Sequence, residues 1–288
     1  MTDGLPPSFP SKKAFPSEKA ARSEEAAPSH GVVAEGRAGL RTLAHDLLSF
    51  DRRALTILLY VPLALTVLEF VFVPAAAYKR PNPEWVSGWL RSLGRSYPSV
   101  PVALWPWLWW SAGCLVVGVF VPLLLLRLVT GDRPAATGLK VRGTLPDARV
   151  YLLLFLIFSP VVWWVSQRAE FRLTYPFYPR APQKAGGDWI AFEVAYFLQF
   201  LSVEYFFRGF LTLGLKPALG RASVLVMLAP YCMIHFHKPF LEALGAVGAG
   251  AVLGCLSWRT GTIVYGWFLH FGVALTMDLL SLHQAGRL

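Results

Sequence analysis

Blocks of about twenty apolar residues recur between residues 54 and 282, and no other property limits the fold of this chain so severely. A helix needs roughly 20 such residues to cross the hydrocarbon of a bilayer. Inside that layer every backbone donor and acceptor must be satisfied within the protein, which leaves helices or closed barrels. The blocks run through Leu, Val, Phe and Trp almost without a break, and a barrel would need them to alternate with polar residues. Only 15% of the 288 residues are charged, where a soluble domain carries about a quarter. The fold class is therefore all-α, a polytopic transmembrane helical bundle.

About seven spans are expected, at residues 54–77, 102–128, 150–166, 189–213, 222–236, 241–258 and 263–282. Trp105, Trp107, Trp109 and Trp110 open the second span as an aromatic belt suited to the membrane interface. Pro160 marks a kink in the third. Gly245, Gly248, Gly250 and Gly254 remove bulk from the sixth, so that a neighbouring helix can approach closely. Residues 81–98, with Trp85 and Trp89, read as a short interfacial helix.

Residues 1–46 are rich in Pro, Ser, Ala, Lys and Glu and lack apolar periodicity, which predicts a disordered polar tail before an integral-membrane domain at 47–288. No apolar stretch of the secretory kind follows Met1, so the first span is expected to remain in the mature protein. The net charge of +10 comes from basic residues scattered over loops, where they meet lipid headgroups and bias topology. With no basic stripe or aromatic platform, no nucleic acid is expected as a partner. The expected location is a multi-pass position in a bacterial inner membrane or its equivalent, with a cytoplasmic N-terminus. Cys114, Cys232 and Cys255 lie in apolar segments without metal-ligand spacing and read as small buried hydrophobes.

Against this background a few ionisable residues stand out. Glu204 and Arg208 are one helical turn apart and share a helix face. His235 and His270 sit on two further apolar segments that bracket the glycine-rich span. Ionisable groups at membrane depth are costly and usually face a protein interior or a watery cavity with a task to perform. A buried ion pair gains little stability over its desolvation cost, so structure alone is a weak reason to keep one. Glu204, His235 and His270 can act as a general base and oxyanion-stabilising set for hydrolysis. They can equally form a Glu/His/His zinc site with an open position for water. Spacing does not separate the two. His237, Lys238 and Glu242 read as headgroup or rim residues, with substrate contact as the alternative.

The order of these residues carries a resemblance. Glu204, Arg208, Gly209 and Phe210, then Tyr231 and His235, then Gly254, Arg259, Thr260, Gly261, Trp267 and His270 are similar in order and spacing to the CAAX-protease and bacteriocin-processing (CPBP) family. The similarity covers a core at about 186–284. Those proteins are intramembrane glutamic endopeptidases and include the Ras-converting CAAX endopeptidases. The resemblance implies a helical bundle around a lipid-open cavity, cleavage of membrane-tethered proteins or peptides, and no cofactor, zinc being the less favoured alternative. It implies that Glu204 is the general base or its carboxylate partner, with Arg208 as its orienter. It further implies that His235 is the second water-activating group and His270 the oxyanion donor.

Two positions depart from the family pattern. Where the family has the first of two adjacent Glu, this chain has Val203, and where an Asn or Asp follows the second His by one turn it has Ala274. Asp278 lies one turn further on, about 80° round an ideal helix from His270, and Glu193 lies about three turns before Glu204 on a similar face. Both are possible auxiliary groups. The expected function is an intramembrane endopeptidase. The alternative is a catalytically silent scaffold or chaperone that binds partner transmembrane segments in the same cavity.

Overall fold

The computed structural model describes residues 51–74, 77, 82–141, 147–178 and 187–287, with isolated positions at Gly39, Arg41, Thr42 and Ser49. The expected disordered tail lies outside the described residues apart from the first three of those positions. Asp51–Leu288 forms one unit. It is an integral multi-pass helical domain, in which six of the described helices are long and apolar enough to cross a membrane. These are α1 (Arg52–Phe72), α3 (Trp105–Thr130), α4 (Ala148–Ser166), α6 (Gly187–Leu219), α8 (Phe240–Thr260) and α9 (Val264–Gln284). Shorter helices are α2 (Glu84–Ser96), α5 (Ala169–Thr174) and α7 (Ala222–Met233).

The fifth expected span thus shrinks to α7, with 12 residues. Its helix ends at Met233, and the chain turns through residues 234–238 before Pro239 caps α8. The apolar run continued to Phe236, but a helix of this length rises only about 18 Å, short of a bilayer's hydrocarbon.

Helix α6 is the hub. It packs on α1, α3, α7, α8 and α9 and is the most deeply buried of the spans, while α4 packs mainly on α9 and has few wholly buried residues. Outward Leu59, Leu63, Leu124, Leu128, Leu152 and Leu156 form the apolar coat that a bilayer requires. The interior divides into two apolar groups. One surrounds Phe206, Phe210, Met227 and Tyr231. The other is an aromatic cluster around Trp107, Phe177, Phe192 and Tyr196.

This second cluster corrects the reading of the Trp-rich start of α3. Trp107 and Trp110, three residues apart and so on one face, are buried. Trp107 meets Phe177, Tyr178 and Phe192 edge-on at 5.3, 6.4 and 5.5 Å between ring centres. Trp109 instead turns toward α2 and α1, packing on Trp89 and stacking on Phe72. The expected short helix at 81–98 is present as α2, with Trp85 exposed.

Close approach explains two of the four glycines in α8. A Cβ at Gly250 would fall 2.7 Å from the Tyr231 ring, and one at Gly254 would fall 2.7 Å from Met227, both on α7. Gly245 and Gly248 face open space, so the small-residue reading fails for them. At the end of α8 the chain reverses through Gly261 at φ +67°, a left-handed conformation that caps the helix and lets α9 begin three residues later.

Candidate active site

The hydrogen bonds of α6 change step as it reaches the site. Its α-helical part ends at Glu204 and continues as a π-helical stretch, Tyr205–Leu213. Such wide turns are rare in helices and frequent at functional sites. Glu204 and Arg208 are both wholly buried. One oxygen of Glu204, Oε1, accepts from Arg208 Nη1 at 3.0 Å and from His270 Nδ1, on α9, at 2.8 Å. Arg208 Cζ also lies over the Tyr231 ring, 3.9 Å from its centre, which compensates part of the guanidinium's desolvation.

His235 occupies the turn after α7. Its Nδ1 is 2.9 Å from the Tyr231 carbonyl oxygen. A carbonyl only accepts, so Nδ1 carries the proton and Nε2 is left as the acceptor. The Tyr231 ring separates the two imidazoles, 4.9 Å from His235 and 6.3 Å from His270. Sequence reasoning used Tyr231 only as part of a motif, yet it contacts Arg208 and both histidines.

A cavity of about 650 Å³ opens beside this group, walled by α1, α3, α4, α6, α7, α8 and α9. His235, His270 and Tyr231 line it. Glu204 and Arg208 do not: they lie behind the wall. The two positions that depart from the family pattern, Val203 and Ala274, are both on the wall. A Cβ at Gly266 of α9 would fall 2.9 Å from Glu204 Oε2, so the carboxylate is enclosed tightly on that side as well.

Glu193 and Asp278 are also away from the wall. Asp278 Oδ1 accepts from the backbone N–H of Phe177 at 2.8 Å, and Ser281, also on α9, donates to the Tyr175 carbonyl. Together they fasten segment 175–178 against α9. Glu193 is buried beside Asp278. The pair belongs to a scaffold that shapes the cavity and does not reach into it.

The carboxylates that do line the cavity are Glu69 and Glu242. Glu69 lies in the short π-helical stretch Leu68–Phe72 that closes the first span, 3.6 Å from His237 Nε2. A lone acid within an apolar block was the signal for it, and sequence reasoning passed it over. Glu242 accepts the Tyr175 hydroxyl on both oxygens, at 2.8 and 2.9 Å, and Lys238 Nζ lies 3.2 Å from that same hydroxyl. Burial above all, and then the charge of Glu242, pushes the Tyr175 hydroxyl well above its ordinary range, so it stays a donor. His237, Lys238 and Glu242, read from sequence as rim residues, are thus part of the cavity wall. Among the described residues no three or more His, Cys, Asp and Glu side chains are grouped as metal ligands would be.

Comparison with known proteins gives a match over one segment of the chain. Residues 185–276, from the start of α6 to beyond His270, match the family model described as type II CAAX prenyl endopeptidase, Rce1-like. No curated protein and no solved structure matches the chain. The match covers the segment that carries Glu204, Arg208, Tyr231, His235 and His270, roughly a third of the chain, and over that segment the chain is similar to CAAX proteases of the CPBP type.

Proposed function

We propose that the protein is an intramembrane endopeptidase that cleaves membrane-tethered proteins or peptides, with its two cavity histidines in contact with water and substrate. The observation that carries this reading is the way both imidazoles are held. Each is fixed through Nδ1, His235 by the Tyr231 carbonyl and His270 by the Glu204 carboxylate, so that Nε2 is the nitrogen free for chemistry. His235 Nε2 takes a proton from water, and the hydroxide attacks the scissile carbonyl. The protonated His270 donates from Nε2 to the oxyanion, its charge balanced by Glu204. The His235 imidazolium then returns its proton to the leaving amine as the C–N bond breaks, which restores the starting state. Glu204 acts through His270, and Arg208 holds Glu204.

The test is cleavage of a tethered, labelled peptide by purified protein in liposomes. Wild type should cut, and Glu204→Gln, His235→Ala and His270→Ala should each lose activity. Equal cleavage by wild type and all three variants would reject the assignment.

A second reading has its own support. With Val203 and Ala274 on the cavity wall, neither family position that departs here offers a polar group to a substrate. In that reading the cavity holds a partner's transmembrane segment without cutting it. It requires capture of the tethered peptide by wild type with no product over long incubation.

A further inference from the structure

The sealed side of the site carries polar atoms that neither the ion pair nor the histidines use. Glu204 Oε1 takes both short bonds, from Arg208 and His270, and Oε2 has no hydrogen-bond partner among the described residues. The same holds for two nitrogens of Arg208, Nε and Nη2. It also holds for the hydroxyls of Tyr151, in the first turn of α4, and of Ser257, near the end of α8. All four side chains are buried, and neither Tyr151 nor Ser257 lines the cavity.

These atoms share one place. A Cβ on Gly266, at the start of α9, would lie 2.9 Å from Glu204 Oε2 and 3.9 Å from Tyr151 Cε1, so the carboxylate and the tyrosine ring flank the same glycine. The Tyr151 hydroxyl in turn approaches the side chains of Ser257 and Thr260. Arg208 is tied to that carboxylate through Nη1. Helices α4, α6, α8 and α9 therefore converge on one polar locus, on the far side of Glu204 from the cavity.

Buried polar groups nearly always find a partner, and leaving them unpaired is costly, most of all beside a charge. Arg208 offers only donors and Glu204 only acceptors, while both hydroxyls can do either. A single water accepts from Arg208 and Tyr151 and donates to Glu204 Oε2 and Ser257. Four partners are the upper end of what a buried water makes. An ion suits the locus less, since a cation would meet the guanidinium and an anion the carboxylate.

We propose that Tyr151 and Ser257 are positioning residues that hold Glu204 Oε2 through one bound water, so that Oε1 stays aimed at His270 Nδ1. Tyr151 lies outside the segment matched by the family model, so this grip comes partly from the rest of the bundle. Its effect on turnover rests on the endopeptidase reading, whereas the bound water stands apart from it. Without the grip the carboxylate can rotate about its last bond and His270 loses a fixed partner, with no change in how substrate is held.

The test compares wild type with Tyr151→Phe, Ser257→Ala and the double variant, which keep the ring and the helix propensity. On a tethered peptide in liposomes, each single variant should lower kcat roughly tenfold while KM stays within about twofold, the scale of one lost hydrogen bond to a charged group. The double variant should lose little more than either single one, because one water serves both hydroxyls. Losses that multiply, an unchanged kcat, or a rise in KM alone each overturn the proposal. A parallel infrared measurement needs no turnover. The carboxylate band of Glu204, identified as the one absent from Glu204→Gln, should shift in the same direction in both single variants. A band that stays in place overturns the proposal even where kcat falls. If wild type cuts nothing, the endopeptidase reading fails, and the band alone decides the role of Tyr151 and Ser257.

Discussion

Two charged clusters lie on opposite sides of one cavity wall, and they use similar residue types to different ends. Glu204, Arg208 and the Nδ1 edge of His270 form a sealed group, in which the carboxylate and the guanidinium have no exposure. Tyr175, Lys238 and Glu242 form an open group on the wall itself. The sealed group holds Glu204 and Arg208 from the family-like motif, whose Tyr231 and His235 face the cavity, while Tyr175 of the open group lies outside the matched segment. Motif membership therefore does not imply contact with substrate. In the sealed cluster charge is used to hold a histidine, and in the open one it ties together three side chains of the wall itself.

The largest effect should come from breaking the sealed cluster. Glu204→Ala leaves the Arg208 guanidinium buried without its partner, a change that costs about 3–5 kcal/mol in comparable buried pairs. Unfolding in mixed micelles should register that loss. The double variant Glu204→Leu/Arg208→Met should recover much of it, because no unpaired charge remains. If the single variant unfolds no earlier than wild type, the cluster is not sealed in the sense described.

The next effect separates holding from chemistry. His270→Ala and His235→Ala should each lower kcat by about 100-fold or more, the scale of general acid–base catalysis, while capture of the tethered peptide persists. Loss of capture along with turnover would move both histidines from chemistry to binding.

Much of this comparison could be read from the sequence, but one dimension of it could not. The apolar blocks announced a helical membrane protein, and the order Glu204, Arg208, Tyr231, His235, His270 announced a joint site. Periodicity puts Val203 and Glu204 about 100° apart on a helix but does not say which of them meets a cavity. That depends on how α6 packs between α3, α8 and α9. Residues of the open cluster were harder still, because Tyr175 and Glu242 are 67 positions apart and join only through the fold. The short α7 was misread for another reason. An apolar run records burial, whereas the end of a helix is decided by where the chain turns, here just after Met233.

Val203→Glu brings a carboxylate from the motif onto the open side of the wall. Under the histidine-based scheme it should raise cleavage by roughly tenfold, the worth of about 1.4 kcal/mol in the barrier, by assisting deprotonation of water. The same variant sharpens the choice between cutting and holding. If wild type is silent and Val203→Glu cuts, the native protein is a binder with a latent peptidase frame. If Val203→Glu cuts no faster than an active wild type, a cavity carboxylate is not what limits turnover.

The smallest expected effect tests how the open cluster is supported. Asp278 holds Phe177 through its backbone N–H, and Phe177 in turn carries the Lys238 ammonium on its ring. Asp278→Asn keeps an acceptor for that N–H and should change stability by less than about 1 kcal/mol. Asp278→Ala leaves the N–H unpaired in a buried position and should cost about 1–3 kcal/mol. Segment 175–178 should then loosen, which hydrogen exchange at Phe177 would report. Because Asp278 is away from the wall, its loss should slow cleavage of the tethered peptide far less than loss of either histidine does. A loss as large as that of His235→Ala would mean that segment 175–178 supports the two histidines as much as it supports Lys238, and the division between the clusters would have to be redrawn.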